Sequence, residues 1–304
     1  MESKNKPQVF NSVSELHRVL GLAAPQHPLI SISNYADITA DVSELSKAMV
    51  LNMYKISFKF NFTGRIKYGQ KHYDFDSGGL SFSSPMQVIS AGDGESDYTG
   101  RSLIVHSDFL RNYPLMRTIK DYGFFSYSVN EALHLSETEK SMIMKIFESI
   151  ESELSSTIDN FSQDIIISQI EQLLNYSNRF YNRQFITRKT FHNDHLSKLD
   201  QIISDFLDND NALIQSVPSI SYLAEQIGVS QRYLSDMLQS LTGMNSQQYL
   251  QSKMIEKARI LLSTTTLTVG EIAYRMGFEH PQSFNKFFKK QTELSPIAFR
   301  NSFN

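Results

Sequence analysis

Two stretches of the C-terminal third place long polar donors on matching frames. SYLAEQIGVSQRYLSDML (221–238) aligns with GEIAYRMGFEHPQSFNKFF (270–288). Ala224 falls on Ala273 and Gly228 on Gly277 at an offset of 49, whereas Leu234 and Leu238 fall on Phe284 and Phe288 at an offset of 50. One residue is therefore added between the halves of the second copy. In each copy a small residue is followed four positions later by glycine, then by a new apolar-periodic run. A helix-turn-helix requires this order, because alanine lets two helices approach and glycine supplies the positive φ of the turn. On the first second-helix, Leu234, Met237, Leu238 and Leu241 form the inward stripe. Gln231, Arg232, Ser235, Asp236 and Gln239 are left outward, behind Ser230 as the cap. On the second, Phe284, Phe287 and Phe288 point inward, and His280, Gln282, Ser283 and Lys286 project near the start, with Lys289 and Lys290 beyond. This is nucleic-acid chemistry. Arg232 and Gln239 have the donor geometry for base edges in a major groove, while Lys289 and Lys290 suit phosphates. Asp236 has the wrong sign for a phosphate contact, so its removal is expected to tighten binding.

The elements that hold these residues carry their own signals. Thr268 with Glu271 forms a capping box, Ser230 caps the helix after the first turn, and Pro281 takes a favoured first helical position. Asn245 and Gln248 cap a long helix whose apolar positions include Tyr249, Ile255, Ala258, Leu261 and Leu262. About 18 residues at ~1.5 Å each span ~27 Å. Such a spacer holds two readers near the ~34 Å pitch of B-DNA, so that both enter successive major grooves on one face. A single helix-turn-helix match resembles many packed hairpins, whereas two copies flanking such a spacer are far more specific.

Residues 196–303 resemble the DNA-binding domain of AraC/XylS-type transcriptional regulators. The resemblance rests on LAEQIGVSQRYLSDML, TGMNSQQYL, IEKARILL, GEIAYRMGFEHPQSFNKFFKK and SPIAFR, a little over one third of the chain. It implies seven helices with two helix-turn-helices, binding to double-stranded promoter DNA, contact with RNA polymerase, activation of transcription, and an N-terminal regulatory domain. It also implies DNA contacts at Gln282, Ser283 and Lys286. Three departures stand out: Asp236 and Met254, where a basic residue is frequent, and Glu293, where glycine is usual before the final helix start at Ser295 and Pro296.

Upstream, Ser12 and Glu15 box a short helix over 12–20 that Gly21 ends. From 29 to 110 the period becomes two. Tyr54, Ile56, Phe58, Phe60 and Phe62 alternate with polar residues, and similar short runs are broken by Gly64, Gly69, Gly78, Gly79, Pro85 and Gly100. Short strands with glycine turns indicate a β-barrel or sandwich. The resemblance makes this region a cupin-like sensing domain. From 133 to 181 the pattern is helical, with a capping box at Ser136 and Glu139 and stripes through Ile143, Ile146, Ile150 and Leu154, then Ile166, Ile170, Leu173 and Phe180. These stripes form a helical hairpin that either covers the β domain or meets a second subunit in a homodimer. The expected fold is α+β: a regulatory and dimerisation domain over 1–182, a polar linker over 183–195, and an all-α domain over 196–304.

A small-molecule effector pocket is expected from Tyr54, Phe58, Tyr68, Tyr73 and Phe82, with an aromatic core as the competing reading of the same alternation. The alternatives to a ligand-responsive regulator are a DNA-binding protein whose β domain only mediates assembly, and a cupin-type enzyme fused to a reader domain. For catalysis the sequence offers no His-x-His pair, Walker loop, GxSxG elbow or Rossmann fingerprint. His72 and His106 stand alone, and the Asp74/Asp76 and Asp93/Glu95 pairs lack the rest of an EF-hand loop, so no metal, cofactor or catalytic residue is expected.

Composition agrees. There are 29 Lys and Arg against 32 Asp and Glu, a net charge of −3, so DNA affinity must come from a local patch. Residues 219–304 hold nine Lys and Arg against six Asp and Glu, a mildly basic +3. The absence of cysteine suits a reducing compartment, and no run approaches ~18 uninterrupted apolar residues, so a cytoplasmic protein without a membrane partner is expected.

Overall fold

A computed structural model describes residues 7–40, 48–61, 67–68, 71–72, 78–90, 99–128, 131–157, 159–187, 189–208 and 217–302. The chain divides into two compact units, Met1–Gln184 and Phe185–Asn304.

In the first unit β1 (Gln8–Phe10), α1 (Val13–Val19), β2 (Ile30–Asn34), β3 (Ala48–Leu51), β4 (Met53–Asn61), β5 (Lys67–Tyr68), β6 (Lys71–His72), β7 (Gly79–Ser83), β8 (Val88–Ser90) and β9 (Thr99–His106) precede α2 (Leu115–Thr118), β10 (Leu133–His134), α3 (Glu137–Ser155) and α4 (Ser162–Thr187). The strands form a five-stranded sheet in the order β10-β7-β4-β9-β2, a three-stranded sheet β1-β3-β8, and the pair β5-β6. Pairing around β4 is antiparallel, whereas β1 joins β3 in parallel.

The larger sheet has two unlike faces, because residues paired across strands share a face. On one face Ile56 pairs with Phe82 and Leu103, and Phe58 with Leu80. Helix α3 buries Ile143, Ile146, Phe147, Ile150 and Leu154, and the Phe147 ring lies 5.7 Å from that of Phe58. Phe82 meets Phe124 at 4.3 Å and Tyr181 of α4 at 6.3 Å. Arg101 of β9, 9% exposed, pairs with Glu151 of α3 and donates through Nε to Asn34 Oδ1 at 3.1 Å. The apolar stripes of the helical hairpin thus lie within this unit, as cover for the sheet. The opposite face carries a rung of four serines, Ser81, Ser57, Ser102 and Ser33. Ser57 and Ser102 are buried, and Ser102 Oγ has no hydrogen-bond partner among the described residues. Farther along that face Ile104 enters a second apolar cluster with Phe10, Val13, Leu16, Leu51 and Met53.

The second unit contains α5 (Lys189–Asp208), α6 (Ile220–Ile227), α7 (Gln231–Thr242), α8 (Ser246–Thr264), α9 (Val269–Arg275), α10 (Pro281–Thr292) and α11 (Pro296–Asn301). Of the stretch 183–195, expected to be a linker, residues 183–187 belong to α4 and residues 189–195 to α5, so its described residues are helical. Phe185 is buried in it, and its ring meets Tyr233 at 5.1 Å. Helix α8 buries Tyr249, Leu250, Met254, Ile255, Ala258, Leu261 and Leu262 at the centre of this unit. Tyr249 donates its hydroxyl to Asp200 Oδ1 of α5 at 2.7 Å, which Lys253 also meets at 3.1 Å. Burial, then the carboxylate beside it, pushes the Tyr249 hydroxyl well above the ordinary phenol range.

Candidate nucleic-acid interface

The two turns are built alike. After α6, Gly228 sits in the left-handed region at φ 78°, and Val229 donates its N–H to Ala224 O at 3.0 Å. After α9, Gly277 also has φ 78°, and Phe278 donates to Ala273 O at 3.0 Å. Each bond returns the chain to the carbonyl of the repeat's small residue, and both alanines are buried at 0–1% exposure. The copies diverge after the glycine. Ser230 caps α7, accepting from Tyr233 N–H at 3.2 Å, whereas His280 precedes α10 without a side-chain cap and Pro281 opens that helix. The inserted residue, Glu279, lies in the second turn.

The inner faces agree with the periodicity: Leu234, Met237, Leu238, Phe284 and Phe288 are buried. Leu241 and Phe287 are half-buried, Phe287 against the Phe278 ring at 5.4 Å. Tyr233, unassigned by the stripe, is buried as well. Gln231 and Arg232 are exposed and Ser235 and Asp236 half-buried on α7, while His280, Gln282, Ser283, Lys286, Lys289 and Lys290 are exposed on and before α10.

Two of the outward side chains of α7 have partners within the helix or at its end. Gln239 is exposed but donates through Nε2 to Gly243 O at 2.9 Å, so it finishes its own helix. Asp236 is not an isolated outward charge: its Oδ2 accepts from Arg232 Nε at 3.1 Å. Met254, where the resembled family frequently has a basic residue, is 3% exposed and belongs to the core. Glu293 takes the left-handed cap of α10 at φ 63°, the role usually given to glycine.

Three of the five aromatic residues expected to line an effector pocket pack against other rings. Phe58 and Phe82 are buried in ring contacts under the helices, and Tyr54 packs edge-on to Phe125 at 5.2 Å. Their alternation gives the core reading its physical basis, since one face of a strand under a helical layer must be apolar. Tyr68 lies in β5, and Tyr73 lies outside the described residues, as do Asp74, Asp76, Asp93 and Glu95. His106 Nδ1 accepts from Asp108 N–H at 3.2 Å and so serves a local turn. Among the described residues no three His, Asp or Glu side chains gather as a metal site, and no helix is long and apolar enough to cross a membrane.

Among the comparisons with known proteins, the family match falls on the same unit. A family model described as a helix-turn-helix domain matches residues 223–302. The HTH-type transcriptional activator RhaS of Escherichia coli (strain SE11) is 38% identical over 78 residues, 26% of this chain and 28% of that protein. The arabinose operon regulatory protein of Escherichia coli (strain K12) is 28% identical over 143 residues, 46% of this chain and 45% of that protein. Among solved structures, the C-terminal domain of the two-component response regulator yesN from Fusobacterium nucleatum is 35% identical, covering 33% of this chain and 95% of that one with a TM-score of 0.29. The chain spans less than half the length of these curated relatives. With its duplicated turns, its spacer helix and the family match, the C-terminal unit carries a helix-turn-helix domain.

Proposed function

We propose that the protein is a sequence-specific regulator of transcription that binds promoter DNA through α7 and α10 in successive major grooves. The observation that carries the reading is the pair of equivalent turns, each presenting an exposed polar helix, at the two ends of one 19-residue helix. At ~1.5 Å per residue α8 spans about 28 Å, close enough to the ~34 Å repeat of the duplex for both readers to engage one face. The mild local charge favours occupancy reinforced by a second subunit and by RNA polymerase, hence activation in a homodimer in the cytoplasm. Since the stripes of α3 and α4 cover the sheet, a dimer contact on this hairpin uses its outer faces. Selection of bound duplexes from a random pool by the full chain, followed by footprinting, tests the proposal. Two protected half-sites about one helical turn apart support it, and uniform protection without a consensus refutes it.

The second part of the reading is control by a small polar effector received on the serine face of the larger sheet. What favours that face over the aromatic one is the buried, unpartnered Ser102 Oγ beside Ser57, since a buried hydroxyl without a partner is costly unless something completes it. A thermal-shift screen of sugars, aromatic compounds and other polar metabolites tests it. A stabilising compound whose effect disappears in Ser102→Val supports the assignment, and one that stabilises both proteins equally refutes it.

A further inference from the structure

We infer that α4 pairs with the α4 of a second copy of this chain, antiparallel about a two-fold axis at Asn175, so that Glu171 of each protomer meets the partner's Arg179. The inference rests on the homodimer reading and gives that dimer its interface. Helix α4 turns Ile166, Ile170, Leu173 and Phe180 inward. On its other side, alternating steps of three and four residues lead from Ile165 through Asn175 and Arg179 to Ile186 over exposed positions only. That spacing draws a straight seam for a second helix.

The charges select the direction and the register. Glu171 and Arg179 stand four residues before and four after Asn175. Along one helix they are two turns, about 12 Å, apart, past the three- and four-residue spacings at which helix side chains meet. Neither forms an ion pair among the described residues. A parallel pairing would set Glu171 on Glu171 and Arg179 on Arg179. The antiparallel pairing sets each on its opposite, and does so twice, as an isologous interface requires. Asn175 then falls on the axis. Its Oδ1 accepts from the Tyr122 hydroxyl at 2.9 Å, which fixes the amide. A carbonyl oxygen has a second lone pair and the amide nitrogen two donors, so the two Asn175 amides can bond each other across the axis. One asparagine in such a seam sets its register. The same register brings Ile165 beside the partner's Ile186, both exposed in the single chain, an apolar contact at either end of the seam.

Sedimentation equilibrium of the full chain over a concentration series tests the inference. Glu171→Arg and Arg179→Glu each turn two attractive contacts into two repulsive ones, and each should raise the dimer dissociation constant by about tenfold. The double variant Glu171→Arg/Arg179→Glu restores both contacts and should return to within about threefold of wild type. An equimolar mixture of the two single variants should form heterodimers more tightly than either variant dimerises alone. If a reversal fails to fold, as read by circular dichroism, Glu171→Gln and Arg179→Gln replace it, with an expected loss of about threefold. A dimer of wild-type strength in both single variants overturns the inference and places the contact elsewhere. Weakened single variants with no recovery in the double variant overturn it too, because the two charges then do not meet. A wild-type chain that stays monomeric throughout removes the homodimer reading, and this inference with it, while the DNA reading stands or falls by its own footprint.

Discussion

Gly228 and Gly277, 49 residues apart in the chain, turn it at the same backbone dihedral, φ 78°. At Gly228 an added Cβ meets no atom within 4 Å, so side-chain space is not what selects glycine there. Gly228→Ala should therefore cost about 1–2 kcal/mol from the left-handed backbone alone. Urea denaturation checks the cost. A loss much above that range indicates a steric clash instead.

Glu293 gives the converse case. It caps α10 at φ 63° with a Cβ, and Glu293→Gly should stabilise the protein by up to about 1 kcal/mol, the relief of a left-handed non-glycine residue less the added freedom of the unfolded chain. A rise in the urea midpoint is the expected result, and an unchanged or lower midpoint refutes it.

Lys286 is exposed in the second turn of α10. Lys286→Ala should weaken binding to the selected operator. If Lys286 meets a phosphate, the salt slope falls by about one and affinity drops for all sequences; if it reads a base, the slope holds and one position loses its preference. Fluorescence anisotropy across a salt series separates the two, and unchanged affinity removes Lys286 from the interface.

Phe82 touches Phe124, Phe125 and Tyr181. As a core residue it should cost about 3–5 kcal/mol on truncation to alanine. A pocket-lining ring would cost much less, and the urea midpoint of Phe82→Ala distinguishes the roles.

Glu271 completes the capping box of α9, and the Thr268 backbone N–H, then its hydroxyl, hold the carboxyl below the usual range. A carboxyl lowered on folding contributes stability above its unfolded pKa, and the contribution is lost as pH falls through the folded value. The difference in urea midpoint between wild type and Glu271→Gln should thus be largest above the ordinary carboxyl range and shrink as pH falls below it. A difference that does not change with pH contradicts the assignment.

Much of this architecture was legible because its determinants are local. The capping boxes at Ser136/Glu139, Asn245/Gln248 and Thr268/Glu271 all form, since an Ncap side chain and its partner three residues on are close whatever the tertiary fold. The repeat was legible because left-handed turns restrict residue type. The pairing of β1 with β3 was not, as a three-residue strand has no periodicity to read. Nor was the helical course of 183–187 and 189–195, because solvated helix faces are as polar as loops. The stripes of α3 and α4 fitted either a sheet or a subunit, and only the Phe58–Phe147 and Phe82–Tyr181 contacts decide between them. On α7, periodicity located Arg232, Asp236 and Gln239 on the outward face. It did not show that Asp236 binds Arg232 or that Gln239 binds Gly243, which depend on rotamers.

Helix α8 is a ruler as well as a spacer. Adding one residue to it advances its far end by only about 1.5 Å but rotates it by about 100°. The second reader would then face a different side of the duplex. Point changes on the exposed surface of α8 leave that phase intact, whereas insertions and deletions do not. On the proposed function, the separation of the two half-sites in an operator is written into the length of a protein helix, and an operator lengthened by half a turn of DNA has no counterpart in the unit that carries both helices.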